Sequence, residues 1–303
     1  MHEPSFSTHV VRALLSLSWG TLMSKGFWPA VSGSVAQNER LNIIANNLAN
    51  ADTNGFKRDQ VTFHTVLSSA TSAAMKEGIP HKAFTDKDFY KLDGRDQAYV
   101  EVEGNFTDHT QGKARVTGNP LDVSLEGKGF LEVLAPEGVR LSRQGTMRMN
   151  HEGTLVTNEG FPVLGPATKA GAAPGIEGEP RSDLMARTIK LDPGASTKVS
   201  ITTDGKIFQG GQEIGELSVV EVVDQNLLYK EGSSLFRNDD PANVSQDPRS
   251  TTVRQGIIET SNVNSISEMT EMLKATRLFE ANEKIVKTYG DLESRAVNDL
   301  GKL

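Results

Sequence analysis

Apolar residues recur at helical spacing near the N-terminal end of the chain, at Val31, Val35, Leu41, Ile44 and Leu48. Steps of three, four and six residues place these side chains along one face of an α-helix. Polar side chains occupy the opposite face, at Asn38, Glu39, Asn42 and Asn46. The pattern therefore predicts an amphipathic helix over about Trp28 to Leu48.

A turn follows this predicted helix. Asn54-Gly55 is a strong turn signal, because glycine adopts positive φ without a steric penalty. We therefore expect the helix to stop near Asn50 and Gly55 to be required where the chain reverses. Phe56 is predicted to pack back on the helix; the alternative is an aromatic side chain exposed in a linker.

A second helical pattern occupies the C-terminal end. Ser265 and Glu268 have the spacing of a capping box, with Ser265 as the N-cap and Glu268 reaching back. A wide apolar stripe follows, at Met269, Met272, Ala275, Leu278, Phe279, Ile285, Val286, Tyr289 and Leu292. A helix of about 30 residues spans about 45 Å. We expect the N-terminal helix to cover part of this stripe and the same helix of a neighbouring copy to cover more.

The middle of the chain has a different periodicity of apolar residues. Residues 121–125 alternate between apolar and polar, as a half-buried strand does. Glycine-rich turn signals recur from there onward, for example at 127–129, 136–138 and 158–160. Short strands between frequent glycine turns predict an antiparallel β domain over 116–225.

The predicted fold class is α+β, with paired terminal helices and an inserted all-β middle domain. Its parts are an extension of uncertain status at 1–22, an N-terminal assembly helix and turn at 23–55, and an irregular or extended connector at 56–115. The β domain at 116–225, a return segment at 226–262 and a C-terminal assembly helix at 263–303 complete the chain. Met23 is the alternative start, because residues 10–22 are mildly apolar without a clear cleavage site.

The composition argues against several classes of function and says less about the fold. The net charge of -7 and the pI of about 5.5 argue against a nucleic-acid-binding surface. The chain has no cysteine, and its six histidines lack metal-binding spacing, so we predict neither a metal nor a cofactor. Neither a nucleophile elbow nor a phosphate-binding loop occurs. These observations favour a protein that is not an enzyme and takes no small-molecule substrate.

Three segments resemble the flagellar basal-body rod and hook family. Residues 41–58 read LNIIANNLANADTNGFKR and contain the family signature A-N-N-L-A-N followed by T-x-G-[FY]-[KR]. Residues 256–264 read GIIETSNVN and are similar to the second signature, which leads into the C-terminal helix. Residues 117–123 and 127–130, TGNPLDV and GKGF, resemble the start of the middle domain. Within the family the chain is most similar to the proximal-rod branch, with the distal-rod branch second.

The resemblance implies a structural subunit that assembles into a helical tube and transmits torque in motility. The implied partners are further copies, other rod and hook subunits, and the flagellar type III export apparatus. Subunits of this family leave the cell unfolded without a cleaved signal peptide and assemble as the periplasmic rod. Their terminal helices line the tube, and the β domain faces outward.

Pattern and resemblance together predict an assembly interface. Its members are Val31, Val35, Leu41, Ile44, Asn46, Asn47, Leu48, Asn50, Gly55, Phe56, Met269, Met272, Leu273, Leu278, Phe279, Asn282, Ile285, Val286 and Tyr289. Asparagine is a poor helix former, so we interpret the helical asparagines as hydrogen-bonding groups of an interface. The alternative is a solvated face. Asn282 is expected to set helix register from within the stripe, or else to point to water beside it.

A second class of function stays open at this point. A periplasmic module that binds peptidoglycan or cleaves its glycan would also use a β domain and carboxylates. Aromatic residues make up 6% of the chain, which is few for stacking on sugars. An assay of glycan cleavage by the purified protein separates the two classes.

Overall fold

The computed structural model describes residues 8–67, 98–166, 181–194, 198–232, 234–245 and 250–300. Parts of the predicted extension, connector and return segment lie outside these ranges, as do residues 301–303. The described chain has a helix at each end and an antiparallel β domain between them. The predicted α+β class is therefore confirmed.

The N-terminal helix is longer than its sequence pattern indicated. Helix α1 runs Thr8–Ala49, so it begins within the predicted extension and continues through Pro29. Proline has no N–H to donate to the preceding turn. Three residues on, the Ser32 hydroxyl donates to the Pro29 carbonyl oxygen at 3.0 Å. The helix stops at Ala49, where the Asn-Gly turn signal led us to expect its end.

Within the described residues the other α-helices are α2 (Arg181–Ala186) and α3 (Ser265–Leu300). The predicted cap of α3 was wrong by one residue. The Asn264 Oδ1 atom accepts from the backbone N–H groups of Ile266 at 3.1 Å and Ser267 at 3.3 Å, so Asn264 is the N-cap. Asparagine and serine cap helices about equally well, so the sequence did not distinguish them. The Glu268 carboxylate does not reach back to Ser265; it pairs with Arg58 at 2.6 Å.

The strands follow one another along the middle of the chain. They are β1 (Arg58–Leu67), β2 (Ala98–Asp108), β3 (Ala114–Val116), β4 (Val123–Glu126), β5 (Gly129–Ala135), β6 (Gly138–Ser142), β7 (Met147–Met149), β8 (Leu155–Thr157), β9 (Val199–Ile201), β10 (Lys206–Gln209), β11 (Gln212–Glu216), β12 (Val219–Glu221), β13 (Leu228–Glu231), β14 (Leu235–Asn238), β15 (Thr252–Gln255) and β16 (Ile257–Glu259). The part predicted as connector thus carries a two-stranded β1–β2 pair.

Strands from the predicted return segment join the sheets of the β domain. The largest sheet has the order β12-β5-β6-β14-β13, and its neighbours are antiparallel. A three-stranded sheet has the order β11-β10-β9, and β15 pairs with β4, β16 with β3, and β7 with β8. Because β13 to β16 lie within 226–262, this segment is part of the domain and not an irregular path beside it.

Strand β5 is buried along its whole length and separates two apolar clusters. Leu131 and Val133 belong to the larger cluster, while Phe130 packs with Leu141 and Phe236 in the other. This alternation follows from the two-residue period of a strand. Glu132, between Leu131 and Val133 in the sequence, has no solvent exposure. Its carboxylate accepts from the Ser218 hydroxyl at 2.6 Å and pairs with Arg187.

The chain divides into two compact units. One contains Met1–Ala45, Val61–Asn105 and Met269–Leu303, and the other contains Asn46–Gln60 and Phe106–Glu268. The first unit contains most of both terminal helices. The second contains the β domain together with the short segments that adjoin the helices in sequence.

We predict that Phe130→Ala lowers the free energy of unfolding by about 3–5 kcal/mol, because truncating a fully buried aromatic leaves a cavity. Phe130 is 0% exposed and its ring lies 5.6 Å from that of Phe236. Val223→Ala is the control, since this side chain is 73% exposed and its truncation changes stability by less than about 0.5 kcal/mol. Urea unfolding measures both; equal losses would contradict the assignment of the core.

Candidate assembly site

The turn after α1 requires glycine at position 55. Gly55 has φ of 71°, and a Cβ there would lie 2.6 Å from the backbone of Arg143. Its N–H donates to the Glu259 carbonyl oxygen at 2.9 Å. The first signature motif therefore contacts the second directly, and the predicted structural role of Gly55 is confirmed.

Phe56 is fully buried and so is not an exposed linker aromatic. The Lys230 ammonium lies 3.8 Å from the centroid of its ring. The same ammonium donates to the Lys57 carbonyl oxygen and to an Asp59 carboxylate oxygen, each at 2.7 Å. The Lys230 ammonium on β13 thus binds the residues that follow the turn, through the Phe56 ring, the Lys57 carbonyl and the Asp59 carboxylate.

Lys57 and Glu259 form a buried ion pair. Their charged atoms are 2.6 Å apart, and the side chains are 1% and 2% exposed. Lys57 also donates to the Thr110 carbonyl oxygen at 2.8 Å, and Glu259 accepts from the Gly112 N–H at 2.8 Å. Burial lowers the pKa of Lys57, and the Glu259 carboxylate opposes that shift. Further hydrogen bonds to Lys57 Nζ and Glu259 Oε1 help to offset the cost of burying the two charges, whereas Glu259 Oε2 is buried without a hydrogen-bond partner.

A second ion pair lies on the C-terminal side of the first. Arg58 pairs with Glu268 at 2.6 Å, and Glu268 is 1% exposed. The Arg58 backbone N–H donates to Asn262 Oδ1 at 2.8 Å. The Asn262 amide donates in turn to the Asp108 carbonyl oxygen at 2.8 Å. We call the contact of residues 55–59 with residues 259–268 the terminal clasp.

The segment between β2 and β3 passes close to the second motif. A Cβ at Gly112 would lie 1.9 Å from the Thr260 carbonyl oxygen. Because no side chain fits in that gap, only glycine lets residues 110–112 reach both Lys57 and Glu259. Nothing in the local sequence pattern singled out Gly112.

Two further basic groups, Arg143 and His109, lie near the buried Lys57. Arg143 is buried, lies 3.6 Å from Glu259 and stacks over the Phe130 ring at 4.9 Å. Burial lowers the pKa of its guanidinium. His109 packs between the rings of Phe130 and Phe236, with centroids 6.0 and 5.3 Å away. Burial, followed by the charges of Lys57 and Arg143, lowers the pKa of His109 from 6.5 to about 4.

The Asn47 side chain forms hydrogen bonds within the same chain. Its amide donates to the Asp59 carbonyl oxygen at 2.8 Å and accepts from the Asp59 N–H at 3.0 Å, and it is 1% exposed. Asn46 is exposed, and Asn50 donates to its carbonyl oxygen at 3.0 Å. The predicted asparagine set therefore separates into one internal clamp and neighbours that face outward.

In the first unit, which contains most of α1 and α3, these two helices lie side by side and antiparallel. Arg40 pairs with Glu271 at 2.6 Å. A Cβ at Gly33 would lie 3.0 Å from the Asn282 amide nitrogen, so a side chain at position 33 would crowd Asn282. Between these two contacts Ala36 and Ala275 are 2% and 0% exposed. Small residues allow the helix backbones to approach closely there.

Much of the predicted apolar stripe is exposed to solvent. Val35, Met269, Leu273, Leu278 and Ile285 are 61%, 52%, 62%, 49% and 43% exposed. Ile44 is buried, and the half-buried members are Val31, Leu41, Leu48, Met272, Phe279, Asn282, Val286 and Tyr289. Val31, Val35 and Val286 line a groove along the helices, flanked by Glu280, Glu283, Lys284 and Lys287. Contiguous exposed apolar surface of this kind is typical of an interaction site.

Sequence reasoning missed the ionic part of the terminal clasp. Lys57 and Glu259 each belong to a signature segment, but charged residues are read first as solvated. A signal did exist, since Lys57 in the first motif and Glu259 in the second have charges of opposite sign and lie next to apolar positions. Of the residues that the structure describes, no group of three or more His, Cys, Asp or Glu could hold a metal ion. No helix among them is long and apolar enough to span a membrane.

The fold and the clasp define a class of protein with adjacent helices at the two ends of the chain and a β domain inserted between them. Three family models match in this order: flagella basal body rod protein at 30–57, flagellar hook protein FlgE/F/G D1 domain at 124–209, and flagellar basal body rod FlgEFG protein C-terminal at 254–300. Together they cover more than half of the chain. The chain belongs to the flagellar basal-body rod family, as its motifs indicated.

Curated relatives agree with the family models. The flagellar basal-body rod protein FlgF of Caulobacter vibrioides is 29% identical over 283 residues, which is 93% of this chain and 100% of that protein. The rod protein FlgG of Bacillus subtilis is 28% identical, over 91% of this chain and 99% of its own length. The rod protein FlgF of Rhizobium meliloti is 29% identical, over 92% of this chain and 99% of its own length.

We predict that Lys57→Met lowers the free energy of unfolding by about 3–5 kcal/mol, because it leaves the Glu259 carboxylate buried without its ammonium. The double variant Lys57→Met/Glu259→Gln recovers about 2 kcal/mol of this loss, since the glutamine oxygen still accepts from Gly112 and carries no charge. Chemical unfolding of the single and double variants measures the coupling. A single-variant loss below about 1 kcal/mol would contradict a buried, coupled pair.

Stability should fall as the pH drops from 6.5 toward 4, because the unfolded chain binds a proton at His109 before the folded chain does. The groups facing this imidazole are Lys57, Arg143 and Asp108. In His109→Phe, which keeps an aromatic ring but cannot be protonated, the dependence in this window becomes shallower. Thermal unfolding across the pH range measures both proteins. Identical slopes would show that His109 does not contribute.

Proposed function

We propose that this chain is a structural subunit of the flagellar basal-body rod and assembles through the exposed apolar faces of its terminal helices. The observation that carries the proposal is the combination of family membership with Leu273 and Leu278 at 62% and 49% exposure on a long helix. Burying a leucine side chain completely is worth about 1.5–3 kcal/mol, so a neighbour that covers the exposed half of each side chain stabilises a complex by about 1 kcal/mol per leucine. The monomer in water lacks this part of the gain.

Neighbouring subunits bind one another head to tail, through two different surfaces. A helix pair that buries its small residues internally and exposes its larger apolar ones offers different surfaces on its two sides. Contacts between unlike surfaces do not close on themselves, and they produce a helical array in place of a dimer. Val35, Met269, Ile285 and the groove beside Val286 belong to the surface that a neighbouring subunit covers.

The partners of this interface are further copies of the chain and other rod and hook subunits. Relatives named FlgF and FlgG have the same identity to this chain within one per cent. We propose a position in the proximal rod on the basis of the TGNPLDV segment and the chain length. The subunit reaches the periplasm through the flagellar type III export apparatus, without a cleaved signal peptide.

The subunit acts mechanically and has no catalytic role. The two buried carboxylates of the terminal clasp are engaged in ion pairs: Glu259 with Lys57, and Glu268 with Arg58. The relatives from Caulobacter vibrioides and Bacillus subtilis are named as rod proteins, and neither name refers to glycan cleavage. The alternative of a peptidoglycan-cleaving module is therefore not supported.

We predict that Leu273→Ser/Leu278→Ser lowers incorporation into the rod by at least about tenfold, because the two changes together remove at least about 1.4 kcal/mol from the contact with a neighbour. Folding of the monomer changes little, since both side chains are about half exposed. Quantifying the tagged subunit in isolated basal bodies measures incorporation, and circular dichroism checks the fold.

Arg277→Ser is the matched control on the same helix. Residue 277 is exposed and adjoins Leu278, but its truncation removes no apolar side chain from the stripe. It should enter the rod like the unaltered protein. Normal incorporation of the double leucine variant would contradict the proposed interface.

A further inference from the structure

The turn that joins α1 to the terminal clasp contains a chemically reactive pair. Asn54-Gly55 is the only Asn-Gly dipeptide in the sequence. The glycine nitrogen has no neighbouring side chain to hinder it, so in a flexible chain it can attack the asparagine carboxamide carbon. A folded chain permits this only where both groups are free to move.

The structure holds both reacting groups. The Gly55 N–H is donated to the Glu259 carbonyl oxygen at 2.9 Å. The Asn54 amide donates to Thr146 Oγ1 at 3.0 Å and accepts from Arg115 at 3.4 Å. The attack requires loss of the first bond and rotation of a side chain held by the other two. The reaction is therefore limited by local opening of the turn.

We propose that Asn54 is a deamidation site of the unfolded chain that the terminal clasp closes on folding, and that isoaspartate formed there prevents the clasp from reforming.

The reaction needs water and no other reactant. The Gly55 nitrogen loses its proton and bonds to Asn54 Cγ, the Cγ–Nδ2 bond breaks, and ammonia carries the proton away. Water then opens the five-membered imide at either of its two carbonyl carbons. One product is aspartate with the normal main chain, and the other is isoaspartate with one more carbon in the main chain.

The turn has no room for the longer product. Gly55 lies against the Arg143 backbone, where even an added Cβ would be 2.6 Å away. An extra main-chain carbon displaces the Gly55 N–H from the Glu259 carbonyl oxygen and shifts Phe56 and Lys57 out of their buried positions. Aspartate changes the charge only, next to the Arg115 guanidinium at the protein surface. Chains that remain unfolded are thus removed from the pool that can fold.

The full-length protein is incubated in mildly alkaline buffer, with and without concentrated urea, and residue 54 is followed by peptide mass spectrometry. We expect ammonia loss to be at least about tenfold slower in the folded protein. Thr146→Val, which removes one of the two hydrogen bonds of the Asn54 side chain and leaves the Gly55 N–H bonded, should deamidate faster than the unaltered protein while folded. Equal rates in the two conditions, or no ammonia loss in urea, would overturn the proposal.

The second part is tested by refolding. Chains deamidated in urea are separated into aspartate and isoaspartate forms, and each is returned to buffer. The isoaspartate form should fail to recover native stability, whereas Asn54→Asp, which carries the charge on a normal main chain, should refold like the unaltered protein. Native stability of the isoaspartate form would overturn the proposed effect on the clasp.

Discussion

The buried ion pair of Lys57 and Glu259 is the interaction on which the second unit depends. Its members are 202 residues apart in sequence and 2.6 Å apart in space. Removing both charges from water costs several kcal/mol, and only close pairing with further hydrogen bonds offsets that cost. The pair therefore forms only when both ends of the chain are in place, and it fixes the alignment of residues 55–59 with 259–268.

Polar and apolar contacts have different roles in this protein. Charge and hydrogen bonds, at Lys57, Glu259 and Asn262, join remote parts of one chain with defined geometry. Apolar side chains on the helices, at Leu273 and Leu278, are about half exposed to solvent. Ion pairs specify which partner is correct, whereas apolar burial supplies free energy. In this chain the two signature segments thus attach to each other through polar contacts.

The sequence predicted the elements better than the contacts between them. Helical period and the Asn-Gly turn located the end of α1, and glycine turns located the β domain. The N-cap at Asn264 was missed because adjacent Asn and Ser satisfy the same rule. The roles of Lys57, Glu259 and Gly112 depend on contacts between segments far apart in the chain, which local periodicity does not contain. Asn47 read as a surface residue because its partner, Asp59, follows a turn whose path the sequence leaves open.

Native-state hydrogen exchange tests the cooperativity of the terminal clasp most directly. The N–H groups of Gly55 and Arg58 donate to the second motif, and that of Asn262 donates to the Phe56 carbonyl oxygen. If the clasp opens as one unit, these three amides share one opening free energy within about 0.5 kcal/mol. Exchange of Gly55 and Arg58 at rates near those of an unfolded chain, while Asn262 stays protected, would contradict the account.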